Sequence, residues 1–499
     1  MIPPVALCVL AGVTFLEQDI PGLSAGEINP LNGQVAANYL HVDVDGDGVV
    51  DLVLPAEVRL QRDGTFPEDA RIAFPDGSTV LAFDVWNNEF YLRLAGRLKV
   101  VYWHEGEWKT KLAQQFRWAE PDQMGRASSQ EGQGGPSGAQ HERFLHDFDA
   151  DDVPEIVLAA PDGLHLYRRT AAEFVEACCL DVLPPLSIVG LSDQALWPAA
   201  ARRISLPVRA MNCGVYVTGL TVGVLTEEAL PARQVRYRLT RYTVDPENNL
   251  LINSASARTE ETAPMPNYVR PCRLNRDDRI DYAGGDWELS EASVFPAPIY
   301  ETYATLDQGR ASQTVRTRSF RPHCSFVDFD GDGDLDMVTE STRLFEGGVR
   351  ESVSRFLTGR EVVHEFNIHL QNPKNGFSVT PDIVGRFTIR LDAAPCRNSD
   401  MFRRYLAGEL CNITGDIDGD HYRDLVIQDG PQRLSVYLFK GTGFAGKPDL
   451  SVPLEKGTRF AVADVNGDGL SDLITCKLVE SQGTLQEVSR VYFTRWEKD

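Results

Sequence analysis

The chain has 499 residues, with 49 Lys and Arg against 72 Asp and Glu, a formal charge of -23, 42% hydrophobic and 24% charged residues. This composition is globular and excludes disorder of the chain as a whole. The acidic balance argues against nucleic acid as a partner, because phosphate contacts need clustered Lys and Arg. Beyond the N-terminus, no apolar run of about 20 residues offers an integral membrane span.

Residues 1–30 fit two readings, a secretory signal or a buried N-terminal strand: residues 2–16 are largely apolar, but Pro3 and Pro4 interrupt them and no Lys or Arg precedes Arg59. Residues 31–499 read as one repeat domain. Its first feature places Asp43, Asp45, Asp47 and Asp51 at positions one, three, five and nine of a loop, with Gly46 and Gly48 between them and Leu52-Val53-Leu54 after it. Short strands then alternate with turn signals such as Arg62-Asp63-Gly64 and Pro75-Asp76-Gly77. Residues 80–103 continue the strand pattern without an acidic loop.

Residues 121–140 are poor in apolar side chains and read as a surface loop. A second acidic loop follows at Asp147, Asp149, Asp151 and Glu155, with Ala150 and Asp152 in place of both glycines. Residues 180–265 are irregular, with strand character near 204–208, 215–222 and 235–244. At Arg273 the register returns with an arginine at position one, which predicts a loop that takes no cation. The register recurs at Asp328, Asp330, Asp332, Asp334 and Asp336; at Asp416, Asp418, Asp420, Tyr422 and Asp424; and at Asp464, Asn466, Asp468, Leu470 and Asp472. Ser399 starts the best helix candidate.

Among the nine cysteines, no Cys or Cys/His group has zinc spacing, so a structural zinc site is not expected. Cys396 and Cys411 are the best pair for a disulfide, with buried thiols as the alternative. Asn412-Ile413-Thr414 is a formal glycosylation sequon.

The acidic loops have the chemistry of calcium cages. Calcium takes six to eight hard oxygens. The acids at positions one, three, five and nine supply carboxylates, and the position-seven residue, Val49 in the first loop, supplies a main-chain carbonyl. An EF-hand needs an acid at position twelve and flanking helices; position twelve is Leu54, Thr339, Ile427 or Thr475, and the flanks are strand-like.

The five loops resemble the FG-GAP/VCBS repeats of integrin-alpha-like β-propellers, whose loops run DxDGDGxxD into an apolar strand. The resemblance implies an all-β propeller of seven blades, or of eight, with three to five calcium ions in its loops. It also implies an extracytoplasmic location. Residues 84–110, 180–265 and 273–281 depart from the pattern.

The residues contain no nucleophile elbow, zinc-protease, P-loop or dinucleotide motif. The reading is therefore a calcium-stabilised module that binds a protein or glycan ligand, or serves as a non-catalytic subunit of a larger surface or periplasmic assembly. Its recognition would lie in loops such as 121–140 and 345–360. The alternative is a carbohydrate-active enzyme such as a polysaccharide lyase on the same scaffold. His41, His146, His323 and His421, beside or within the acidic loops, are its only hint.

Overall fold

The computed structural model describes Leu23 and residues 13–20, 39–54, 57–76, 80–94, 96–116, 140–141, 144–160, 163–180, 215–218, 220–232, 234–245, 251–252, 257–266, 269–272, 274–275, 281–288, 299–305, 313–318, 323–342, 361–372, 376–391, 401, 404–405, 409–481 and 484–496. Among these the architecture is all-β, built mainly from four-stranded antiparallel sheets met in chain order, an organisation consistent with a β-propeller-like fold. The chain divides into two compact units, one of residues 38–62 and 66–267, the other of residues 1–37, 63–65 and 268–499.

The first unit holds four sheets. Sheet 1 is Leu40–Val42, Asp51–Val53, Glu57–Arg59 and Arg71–Ala73. Sheet 2 is Val80–Trp86, Glu89–Leu94, Arg97–His104 and Glu107–Gln115, with Gln140–His141 added in parallel beside Val80–Trp86. Sheet 3 is Leu145–His146, Glu155–Ala160, Gly163–Arg169 and Phe174–Leu180. In sheet 4, Val215–Thr218, Thr221–Leu230, Gln234–Asp245 and Leu251–Ile252 form the path, and Arg258–Glu261 and Met265–Pro266 also pair with the long third strand. The irregular region of the sequence is thus an enlarged sheet as far as it is described; residues 181–214 lie outside the described set.

The second unit holds sheet 5 (Arg270–Cys272, Asp281–Glu288, Ile299–Thr305, Gln313–Arg318), sheet 6 (His323–Val327, Asp336–Thr342, Glu361–His369, Ile383–Arg390) and sheet 7 (Cys411–Gly415, Asp424–Gly430, Arg433–Tyr437, Leu450–Pro453). Sheet 8 joins the two ends of the chain. Arg459–Ala463, Asp472–Ser481 and Thr484–Trp496 are followed in space by Val13–Asp19, which pairs antiparallel with the C-terminal strand from Val13 opposite Trp496 to Asp19 opposite Arg490. Residues 1–12 lie outside the described set. No helix among the described residues is long and apolar enough to cross a membrane.

Burial explains why each sheet tolerates so many apolar residues in its second strand. Every residue of Asp424–Gly430 is buried, as an inner strand covered on both faces requires. The outer strand Ile383–Arg390 alternates instead, its buried positions being Gly385, Phe387 and Ile389. Side chains interdigitate between consecutive sheets of a unit. Val53, Phe83 and Leu92 lie between sheets 1 and 2, Tyr91, Ile156 and Phe174 between sheets 2 and 3, and Phe366, Phe387 and Ile427 between sheets 6 and 7.

Three local readings of the sequence have a place in the structure. Cys411 is buried; Cys396, its expected bridge partner, lies outside the described residues. The Asn412 amide is buried, and its Oδ1 accepts from Thr414 N (2.9 Å) and Oγ1 (2.8 Å), which closes the sequon against a glycan. Of the helix candidate, Met401, Arg404 and Tyr405 are helical, and the Ser399 cap lies outside the described residues.

Phe329 is fully buried, edge-on to Phe439 at 5.1 Å between ring centroids. Phe329→Ala should lower unfolding free energy by about 3–5 kcal/mol, read as a shift of the urea midpoint.

Candidate metal centre

The acidic loops occupy one structural position. Each connects the first strand of a sheet to the second: residues 43–50 in sheet 1, 147–154 in sheet 3, 273–280 in sheet 5, 328–335 in sheet 6, 416–423 in sheet 7 and 464–471 in sheet 8. Sheet 2 makes the same connection with the two-residue turn Asn87-Asn88, both at positive φ.

One hydrogen-bond scheme shapes the loops. The position-one carboxylate accepts from the amide at position six: Gly48 N to Asp43 (3.0 Å), Asp152 N to Asp147 (3.1 Å), Gly333 N to Asp328 (3.0 Å), His421 N to Asp416 (2.9 Å) and Gly469 N to Asp464 (2.9 Å). The position-five carboxylate accepts from position seven: Val49 N to Asp47 (2.9 Å), Val153 N to Asp151 (2.8 Å), Asp334 N to Asp332 (2.8 Å), Tyr422 N to Asp420 (2.9 Å) and Leu470 N to Asp468 (2.9 Å). This path turns left-handed at positions four and six, where Gly46 and Gly48 have φ of 78° and 83°. Ala150 (59°), Asp152 (65°) and His421 (76°) hold the same conformation without glycine's freedom, so those loops are kept in shape by their hydrogen bonds at a cost of about 1–2 kcal/mol per residue.

The scheme brings together oxygens of Asp43, Asp45 and Asp51 in the first loop, of Asp147, Asp149 and Glu155 in the second, and of Asp328, Asp330 and Asp332 in the third, each set within 4.8 Å of one another. In the last two loops Asp416, Asp418, Asp420 and Asp424, and Asp464, Asn466, Asp468 and Asp472, hold equivalent positions on the same backbone path. Asp147 Oδ1 and Asp418 Oδ1 are buried and accept no hydrogen bond. An oxygen that can only accept, placed where no donor reaches it, fits a hard cation such as calcium. The main-chain carbonyls of Val49, Tyr422 and Leu470, with Asp334 in the third loop, would complete such a cage. Of the Arg273 loop, Arg273 and Asp277 lie outside the described residues; Leu274, Asn275 and Asp281 are described.

Position nine has a second role that spacing does not show. Asp51, Asp336, Asp424 and Asp472 are at most 2% exposed, and each carboxylate bridges two amides. One belongs to position two of its own loop: Val44, Phe329, Ile417 and Val465, at 2.7–2.9 Å. The other lies at or just after the third strand: Gln61, Gln371, Phe439 and Thr494, at 2.7–2.8 Å. Glu155 and Asp281 make the position-two bond to Phe148 and Leu274. The sequence carried a signal for this: position two is apolar in every copy, and each of these side chains is buried.

Two arginines missed by the motif reading lie against the loops. Arg62 reaches Asp45 (2.6 Å) and Asp47 (3.1 Å), and Arg168 reaches Asp149 (2.7 Å). They offset carboxylate repulsion from outside the loop. In the second unit successive loops also bond to one another, through Leu335 N to Leu274 O (2.6 Å), Arg423 N to Phe329 O (2.9 Å) and Ser471 N to Asp416 O (2.7 Å). Of the four histidines, His41 and His421 are exposed and His146 is half-buried, while the His323 side chain lies outside the described set.

Burial dominates the electrostatics at position nine. It pushes the carboxyl of Asp51 up to about 6 and those of Glu155, Asp336 and Asp424 up to about 7, and raises Asp472 well above the ordinary range. Because these folded-state values exceed the unfolded ones, their contribution to stability is full below about pH 4 and is lost as pH rises through 6 to 7. In chelator, the melting temperature should therefore fall between pH 5 and pH 8. Asp424→Ala leaves the buried Ile417 and Phe439 amides without their acceptor and should cost about 2–6 kcal/mol in a urea titration.

No curated protein matches the chain. Among solved structures, the extracellular domain of a putative one-component system from B. thetaiotaomicron is similar at 10% identity and a TM-score of 0.22. The match covers 97% of this chain, which spans 57% of that one. The family model of the FG-GAP-like repeat matches residues 416–475, which include the whole of the loops at Asp416 and Asp464. That segment of the chain, which holds two acidic loops and the strands between them, is similar to an FG-GAP-like repeat.

Proposed function

We propose that the acidic loops bind calcium and that the protein is a calcium-stabilised, extracytoplasmic, propeller-like module that binds a protein or glycan ligand. The observation that carries this reading is the recurrence of one loop geometry at one place in sheets 1, 3, 6, 7 and 8, with acceptor-only oxygens converging and two of them buried without a donor. Asp43, Asp45, Asp47 and Asp51, with the Val49 carbonyl, would form the first site, and the equivalent residues the others. Calcium would supply charge neutralisation and nothing chemical. Each unit holds four sheets of four or more strands, and the second also a two-stranded one, Gln371–Asn372 with Gly376–Phe377, a count compatible with eight blades.

A role in binding draws support from a shallow cleft in the first unit. It is lined by Leu60, Asp69, Arg71, Trp103, Glu107 and Trp108. Indole side chains beside carboxylates and a guanidinium are compatible with sugar rings and hydroxyls. The reading places a glycan or protein ligand at that cleft, with service as a non-catalytic subunit of a larger assembly as the second reading.

Calcium titration of chelator-treated protein should give three to five bound ions, and their removal should lower the melting temperature and expose the chain to protease. An unchanged melting temperature with and without calcium would sink the reading. On a glycan array, Trp103→Ala should lose any signal seen with the wild type while keeping its calcium-dependent melting shift.

A further inference from the structure

A second kind of cation site lies in the core of the second unit, away from the acidic loops. Glu340 and His364 stand on the paired strands Asp336–Thr342 and Glu361–His369 of sheet 6, two positions apart in register, so their side chains share a face. Cys411 opens the first strand of sheet 7. One donor atom from each of the three lies within 4.8 Å of the others. All are buried: Glu340 is 7% exposed, His364 3% and Cys411 6%.

The imidazole is held on both sides. Its Nε2 is 3.1 Å from Glu340 Oε2, and its Nδ1 is 3.4 Å from the hydroxyl of Tyr405, itself 3% exposed. Phe366 fixes the ring plane, edge to face at 4.8 Å. In one tautomer Nε2–H donates to Glu340 and Nδ1 accepts from the Tyr405 hydroxyl; in the other Nδ1–H donates to Tyr405 and the Nε2 lone pair is turned to the Glu340 side, the form in which Nε2 can ligate a metal.

A thiolate, an imidazole and a carboxylate together form a donor set for a borderline-soft divalent ion such as zinc and a poor one for calcium. Zinc bonds of about 2.0–2.3 Å place ligand atoms roughly 3–4 Å apart, so the cluster needs to contract only slightly. We propose that Glu340, His364 and Cys411 bind one zinc-class ion that staples sheet 6 to sheet 7, with a water in the fourth position. Sequence spacing hides such a site, because its ligands are 24 and 47 residues apart and meet only through sheet packing.

The test uses the full chain. Elemental analysis after treatment with a calcium-selective chelator should find one zinc per chain, and a zinc-selective chelator should remove it. Cobalt added to the zinc-depleted protein should give thiolate-to-cobalt charge-transfer absorption at one equivalent. That band should vanish in Cys411→Ser and persist in Asp418→Asn, a change in a calcium loop. Should Cys411→Ser not fold, the wild-type zinc content and cobalt band still decide. Absence of stoichiometric zinc and cobalt binding, or a cobalt spectrum without the thiolate band, would overturn the proposal and leave a proton-bridged His–Glu pair. Because the two chelators act separately, failure here is distinguishable from failure of the calcium reading.

Discussion

The rest of the structure depends on a buried carboxylate that holds two backbone amides. At the start of the second strand in sheets 1, 6, 7 and 8, one aspartate ties position two of the acidic loop to the far end of the third strand. Three strands and a loop are thereby registered by one side chain. Each amide so held would otherwise be buried without a partner, which proteins seldom tolerate. The clamp also aims the position-two side chain, Phe329 or Ile417 for example, into the core between sheets.

This constraint has an electrostatic consequence. A carboxylate sunk deep enough to serve the backbone is desolvated, and its neighbours in the loop are acids as well, so at neutral pH the loops store unfavourable charge. Arg62 and Arg168 offset part of it from the solvent side. Asp147 Oδ1 and Asp418 Oδ1 remain without a donor. A divalent cation would resolve both the repulsion and the missing donors at once, so the calcium proposal draws on the electrostatics of the loop as well as on its motif.

The two proposed kinds of metal site differ in how they are built. The acidic loops are local in their ligands, which lie within nine residues of one another, although position nine is also held by an amide at or just after the third strand. The Glu340, His364 and Cys411 cluster is non-local and exists only because sheets 6 and 7 pack. Loss of a loop ion would loosen one sheet connection, whereas loss of the core ion would release the contact between two sheets. Ligand recognition would fall to neither, which leaves it to surface features such as the Trp103 and Trp108 cleft.

The sequence by itself determined the elements that depend on local spacing. Asp and Gly at fixed intervals specify where the chain can turn left-handed and gather oxygens, and the apolar run after each motif specifies the buried second strand, as in Asp424–Gly430. The FG-GAP resemblance rested on the same residues and is met by the family model at 416–475. The tertiary structure decided what local spacing cannot encode: that position nine also serves amides as far away as Gln371 and Thr494, that Arg62 closes over Asp45, that Val13–Asp19 completes the last sheet, and that a glutamate, a histidine and a cysteine far apart in sequence share one pocket of the core. The physical reason is the same in each case. A turn is set by the conformational preferences of a few adjacent residues, whereas these contacts are set by packing, which only the folded chain brings about.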